Sequence, residues 1–190
     1  MIYTVNIVKT IIFCSEKERD DIMFLGSEEI KKLIKEKNLV SDFINLKEQL
    51  QPNGFDLTLQ NIERVTGHGT ISASGKVLPI LEKIPIKSDN TWILDKGVYI
   101  ITFNEVLKFP KGIAGISIQR SSVIRCGAMI NVSLWDSGYE GRGQNLLVVH
   151  SKYGLTLQKN VRIVQVQFIK IMGKNYMYRG NYQHENIHKL

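Results

Sequence analysis

The chain is short of the features that mark a secreted or membrane protein. Only two cysteines occur in its 190 residues, Cys14 and Cys126. They lie far apart and fit no metal-binding spacing, which suits a reducing compartment or indifference to redox state. No stretch approaches the ~20 apolar residues that a membrane span requires. The apolar start MIYTVNIVKTIIF is interrupted by Lys9 and lacks a small-residue cleavage site, so a signal peptide is not expected and a cytoplasmic protein is. Internal repeats and low-complexity segments are missing too. The excess of 25 basic over 18 acidic residues, +7 in all, suits a polyanionic partner. Yet the basic residues are scattered, with no arginine-rich arm and no aromatic-basic RNA motif. A small phosphorylated ligand therefore ranks above nucleic acid.

What is present is an ordinary globular composition, 43% hydrophobic and 23% charged, long enough for one domain with a substantial core. The charged run SEKERDD at 15–21 precedes Met23, so residues 1–22 read as an extension, with Met23 as a candidate natural start, and 23–190 as the domain. MFLGSEEIKKLIKEKN predicts a helix with Ser27 as N-cap, acids in its first turn and a stripe of Ile30, Leu33 and Ile34. Residues 39–50 carry no strong pattern. From there the chain alternates short strand-like runs with turn signals. Pro52-Asn53-Gly54 turns into a strand with Phe55, Leu57 and Leu59 on one face, and Asp56 and Thr58 on the other. Runs at 92–94, 98–103, 113–118, 146–149, 155–157 and 161–169 follow. Many short strands with few helices predict a mainly β fold, a closed or sandwich-like antiparallel sheet. Within 161–169, Val164, Val166 and Phe168 alternate with Ile163, Gln165 and Gln167. Arg162 falls in register with the apolar set, so it must be paired or lie at an interface, and the latter is the expectation.

One stretch concentrates chemistry. QRSSVIRCGAMINVSLWDSGYEGRG, residues 119–143, opens with Arg120, Ser121 and Ser122, adds Arg125, and then sets one carboxylate, Asp136, after an apolar run. Guanidinium forks match phosphate oxygens and hydroxyls donate to them. Cys126 reads as a small packing residue, having no base beside it in sequence. Asp136 either caps the turn before Ser137-Gly138 or performs chemistry. Gly138, Gly141 and Gly143 are spaced as if the backbone must turn tightly and approach something closely.

QPNGFDLTL at 51–59, QRSSVIRCG at 119–127, SLWDSGYEGRG at 133–143, NVRIVQVQF at 160–168 and, in part, YRGNYQHEN at 178–186 together resemble the trimeric dUTPase and dCTP deaminase family, most closely its archaeal-type dUTPase branch. The resemblance covers roughly 23–186. It implies a jelly-roll-like antiparallel β barrel or sandwich with a short N-terminal helix, and a homotrimer whose sites lie at subunit boundaries. It further implies hydrolysis of dUTP to dUMP and pyrophosphate with Mg2+ on the triphosphate. Asp136 would orient and deprotonate the water, and Arg120, Ser121, Ser122 and Arg125 would bind phosphates. Tyr139 would pack under deoxyribose and leave no room for a 2′-hydroxyl, although a plain core aromatic is the simpler reading of that residue. Gln165 matches the family's RIxQLxF pattern and becomes a nucleotide-contact candidate. Asp56, otherwise a solvated strand residue or turn partner, becomes a candidate for orienting the magnesium–triphosphate end. Tyr182 and Gln183, with Tyr178, belong to a flexible tail from about residue 176, which in the family closes over the nucleotide. The deaminases of the family carry an essential glutamate on the strand after the aspartate motif. Carried over with a gap at Arg142–Gly143 it falls on Leu147, and no acid occurs from Gly141 to Lys159. The resemblance thus favours dUTP hydrolysis, with dCTP deamination, alone or combined with it, as the alternative.

Overall fold

The computed structural model describes residues 23–187. The extension at 1–22 and the last three residues lie outside the described residues. In chain order, β1 (Met23–Phe24) leads to α1 (Ser27–Lys37), β2 (Val40–Ser41), α2 (Leu46–Gln49), β3 (Leu50–Gln51) and β4 (Gly54–Thr66). Three exposed strands, β5 (Thr70–Ser72), β6 (Gly75–Val77) and β7 (Ile80–Lys83), precede β8 (Thr91–Leu94), β9 (Gly97–Phe103), β10 (Val106–Lys108) and β11 (Ile113–Gln119). Then come α3 (Ser121–Arg125), β12 (Ala128–Ile130), β13 (Ser133–Trp135), β14 (Glu140–Gly141), β15 (Gln144–Val149), β16 (Leu155–Gln158) and β17 (Arg162–Lys170).

The main sheet runs β12-β15-β9-β4-β17-β11-β13, and every pairing in it is antiparallel. Curling brings one face onto a continuous core of Phe55, Leu57, Leu59, Tyr99, Phe103, Leu147, Val164, Val166 and Phe168, each fully buried. The mainly β, antiparallel expectation holds, and so does the short N-terminal helix. Ile30 and Ile34 of α1 are buried, as its stripe requires. Its cap differs: Gly26 occupies the N-cap and Ser27 is already helical. Asn38, at φ 54°, closes the helix with its N–H on the carbonyls of Leu33 and Ile34, the usual left-handed exit. Residues 39–50 are also more ordered than their mixed pattern suggests. Asn45 caps α2, accepting from the N–H groups of Lys47 and Glu48, and β3 turns through Pro52-Asn53 into β4.

Two strands depart from simple alternation. All of Gly54–Leu59 is buried, because a buried network covers the second face of β4. There Gln49 Nε2 donates to the Asp56 carbonyl (2.9 Å) and to Glu105 Oε1 (2.7 Å), while Glu105 also accepts from Thr58 N (2.8 Å) and Thr58 Oγ1 (2.6 Å). In β17 the register against β4 shifts between Arg162 and Val164. This bulge buries Ile163 and Val164 in succession and re-phases everything before them. Arg162 therefore turns to the face of Gln165 and Gln167, away from the apolar set, and pairs with Asp56 within its own chain. Ile163 moves the other way, into the core.

Candidate functional site: an arginine–serine cleft and a carboxylate–aromatic pocket

Strand β11 delivers Arg120 to the start of α3, and α3 carries Ser121, Ser122 and Arg125 into a cleft of about 430 Å³. As at any helix start, the first N–H groups have no intrahelical partner. The floor of this cleft is Asp56, whose side chain is 1% exposed. Its Oδ2 accepts from Arg120 Nη1 and, at 3.4 Å, from Arg162 Nη1, and its Oδ1 accepts from Gln165 Nε2 at 3.3 Å. Burial raises the Asp56 pKa, against the pull of Arg120, Gln165 and Arg162. Asp56 is thus neither solvated nor a turn partner. It pins the guanidinium that faces the cleft. Gln165 lines the same cleft, so six of the expected site residues converge there.

The remaining residues gather elsewhere. Strand β13 pairs with β11 in the register Gly115↔Trp135 and leads directly into Asp136. Asp136 is exposed and lines a pocket of about 300 Å³ together with Trp135, Tyr139, Gln144, Tyr178, Tyr182 and Glu185. Tyr139 is 3% exposed and packs against Phe109 (6.5 Å between centroids) and Tyr178 (5.9 Å). Its hydroxyl donates to Glu185 Oε1 at 2.8 Å, and burial, first of all, raises the phenol far above its ordinary range. It is both the core aromatic and the wall of the pocket. Gln183 does not line the cavity. Its amide brackets the loop behind Asp136, donating to the Gly138 carbonyl (2.9 Å) and accepting from Glu140 N (3.3 Å).

No residue lines both cavities. The register explains why. Asp136 follows the residue opposite Gly115, and Arg120 lies at the other end of β11. Six residues of strand separate them, about 20 Å at the usual rise.

Sequence reasoning missed several members of these sites. Gln49 and Glu105, which hold the strand of Asp56, carry no local signal. Glu185 was visible only as an acid in the tail. On β15, Leu147 is wholly buried in the core, so it does not face the pocket as the placement of the gap required. The half-exposed face of β15 carries Gln144, Leu146 and Val148, with Gln144 in the pocket. This face carries no acid. Among the described residues no cluster of three or more His, Cys, Asp or Glu is placed to hold a metal, and no helix is long and apolar enough to cross a membrane.

The curled antiparallel sheet is a fold that this chain shares with a dCTP deaminase. A solved 2′-deoxycytidine 5′-triphosphate deaminase from Agrobacterium tumefaciens has this fold. It superposes with a TM-score of 0.63 at 18% identity, over 78% of this chain and 48% of its own, so the present chain spans about half its length. Residues 24–171 match the dCTP deaminase-like family model, and the chain belongs to that family. It is 42% identical over 166 residues to a probable deoxyuridine 5′-triphosphate nucleotidohydrolase of Archaeoglobus fulgidus, covering 86% of this chain and 97% of that protein. It is 38% identical to the protein of the same description from Methanosarcina acetivorans, covering 85% and 97%.

Proposed function

We propose that this protein hydrolyses dUTP to dUMP and pyrophosphate, keeping uracil out of DNA and supplying dUMP for thymidylate synthesis. The observation that carries the reading is the pinned guanidinium. Asp56, itself bonded by Gln165, fixes Arg120 at the mouth of a cleft that also holds Ser121, Ser122 and Arg125, a donor set suited to phosphoryl oxygens. The similarity to archaeal nucleotidohydrolases over nearly their full length supports the same substrate.

Asp136 is the exposed carboxylate of the second pocket. It orients the attacking water and takes its proton, so that oxygen attacks the α-phosphorus and pyrophosphate leaves. Tyr139 forms the platform under deoxyribose. Gln144, on the wall of the same pocket, offers an amide to the base in place of a deaminase's acid. Magnesium supplies charge neutralisation on the triphosphate. Asp56 Oδ1, bonded by Gln165 alone, keeps a lone pair and would hold the ion through water, since the two guanidiniums on Oδ2 disfavour direct ligation. Tyr182 and Gln183 act from the tail, the first at the pocket and the second through the loop it brackets.

The two cavities join only if the Asp136 end of one copy meets the Arg120 end of another. A nucleotide cannot bridge about 20 Å of strand with its α-phosphate at both ends. Ile118 (44% exposed), Ile124 (58%), Val132 (62%) and Leu134 (65%) flank the two regions, and apolar side chains so placed suit burial between copies. We therefore read the enzyme as a cytoplasmic homotrimer with its sites at subunit boundaries. The direct test is incubation of purified protein with magnesium and each deoxynucleoside triphosphate, followed by separation of products. Pyrophosphate and dUMP from dUTP, with no ammonia from dCTP, is the expected result. Ammonia from dCTP at a comparable rate would replace this function with deamination.

A further inference from the structure

The tail lies against the loop that carries Asp136 and Tyr139, and it is held there by its backbone and by the side chains of Gln183 and Asn186. Tyr178 N donates to the Ser137 carbonyl (2.7 Å), His184 N to the Glu140 carbonyl (2.7 Å), and Arg142 N to the Glu185 carbonyl (2.9 Å). Asn186 Nδ2 adds a bond to the Arg142 carbonyl (3.2 Å). Glycines make the fit possible. A Cβ on Gly141 would stand 2.6 Å from Tyr139 Oη and 3.2 Å from Glu185 Cγ, and one on Gly138 would stand 2.9 Å from Met177. The close approach that the glycine spacing anticipated is to the tail at Gly138, to Tyr139 and then the tail at Gly141, and to Trp135 at Gly143.

Within this contact one side chain is out of keeping. Glu185 is a partly buried carboxylate, and no salt bridge reaches it among the described residues. Its side-chain partner is the Tyr139 hydroxyl. A tail already anchored by its backbone and by Gln183 and Asn186 gains nothing from such a group, since burial raises the Glu185 pKa and an apolar residue would fill the space without that cost. The phenol, by contrast, gains a great deal. Phe109 and Tyr178 confine the Tyr139 ring, but they leave its hydroxyl end to be fixed by a hydrogen bond. A carboxylate acceptor gives a stronger bond than a neutral one.

We infer that Glu185 is a positioning residue that holds Tyr139 in place against the pocket and so sets the choice between deoxyribose and ribose. The inference rests on the reading of Tyr139 as the sugar platform. A ribose 2′-hydroxyl needs the ring to retreat by about the width of one oxygen atom, and the ring cannot retreat without breaking its bond to Glu185. Discrimination is enforced by the bond as well as by the ring's bulk.

The test is the ratio of kcat/KM for dUTP over UTP, with magnesium, in wild type, Glu185→Ala, Glu185→Gln, Tyr139→Phe and the Glu185→Ala/Tyr139→Phe double variant. Loss of a charge-assisted hydrogen bond should lower the ratio about tenfold or more in Glu185→Ala and in Tyr139→Phe. The double variant should fall no further, because both changes break the same bond. Glu185→Gln should stay within about threefold of wild type, since an amide oxygen still accepts. Equal losses for both substrates in Glu185→Ala would make Glu185 a tail anchor and overturn the inference. So would a Glu185→Gln variant as impaired as Glu185→Ala. A wild type with no deoxy preference overturns the platform reading and this inference with it, whereas a wild-type preference unmoved by Glu185→Ala overturns the inference alone.

Discussion

Replacing Asp56 by Asn separates stability from function in the cleft lined by Arg120 and Arg125. Asn keeps the shape and one acceptor oxygen but turns an amide toward Arg120 and Arg162, which now meet on Asp56 Oδ2. Breaking a wholly buried ion pair costs about 3–5 kcal/mol. Here the carboxylate is 1% exposed while the two arginines are 33% and 35% exposed, so the released guanidiniums can turn to water. Asn is also spared the burial penalty that raises the pKa of Asp56. These terms reduce the expected loss to about 1–2 kcal/mol. The complementary Arg120→Ala/Arg162→Ala variant leaves a buried carboxylate with Gln165 as its one remaining side-chain partner, and the full cost of about 3–5 kcal/mol applies. Urea midpoints at pH 7, with unchanged slopes, measure this order. Function should show the reverse of a mild change. With Arg120 untethered, KM for dUTP in Asp56→Asn should rise to match Arg120→Ala, about tenfold for one charge-assisted contact. An Asp56→Asn protein that is as unstable as the double variant, or whose KM stays within about twofold of wild type while Arg120→Ala is impaired, would refute the pinning argument.

Asp136→Asn should fold normally and bind a non-hydrolysable dUTP analogue as wild type does, while kcat falls about 100-fold or more. Turnover within about threefold of wild type would assign the base elsewhere. Glu105 is buried, and burial raises its pKa against the donors Thr58 and Gln49. The folded state therefore holds this proton more tightly than the unfolded one, and wild-type stability should fall as pH rises from the ordinary value of 4.5 through the raised one. Glu105→Gln should be less stable by about 1–3 kcal/mol at low pH, since one of its atoms becomes a donor facing donors. The gap to wild type should narrow as pH rises, and parallel urea midpoints across that window would count against the assignment. Gly141→Ala should displace Tyr139 or Glu185, because the new methyl meets Tyr139 Oη at 2.6 Å. It should cost about 1–3 kcal/mol and speed amide exchange across 178–186, and unchanged exchange there would show that the tail tolerates the methyl.

Much of the fold was legible because strands advertise themselves locally. Alternation located β9, β11, β15 and β17 to within a residue or two, and the turn at Pro52-Asn53-Gly54 marked the start of β4. The motif residues were legible as a set as well, for Arg120, Ser121, Ser122, Arg125, Gln165 and Asp56 do share one cleft. Errors arose where one residue's phase decided the outcome. The bulge at Arg162/Val164 reverses the facing of Arg162, and nothing in RIVQVQF announces an extra residue. The placement of the deaminase position on Leu147 depended on the same period of two, and Leu147 lies in the core.

By itself, then, the sequence determined the strand pattern, the cluster of guanidinium and hydroxyl donors at 120–125 and the carboxylate of Asp136 set at the end of an apolar run. Each of these depends on neighbours within a few residues, where steric and hydrogen-bonding preferences act directly on the chain. Tertiary structure alone decided that Asp56 pins Arg120 across 64 residues, that Glu185 holds Tyr139 across 46, and that Asp136 and Arg120 occupy separate cavities. Partners so distant in sequence are chosen by how a curled sheet closes and which side chains it excludes from water. That choice is settled by packing over the whole core, and no local pattern records it.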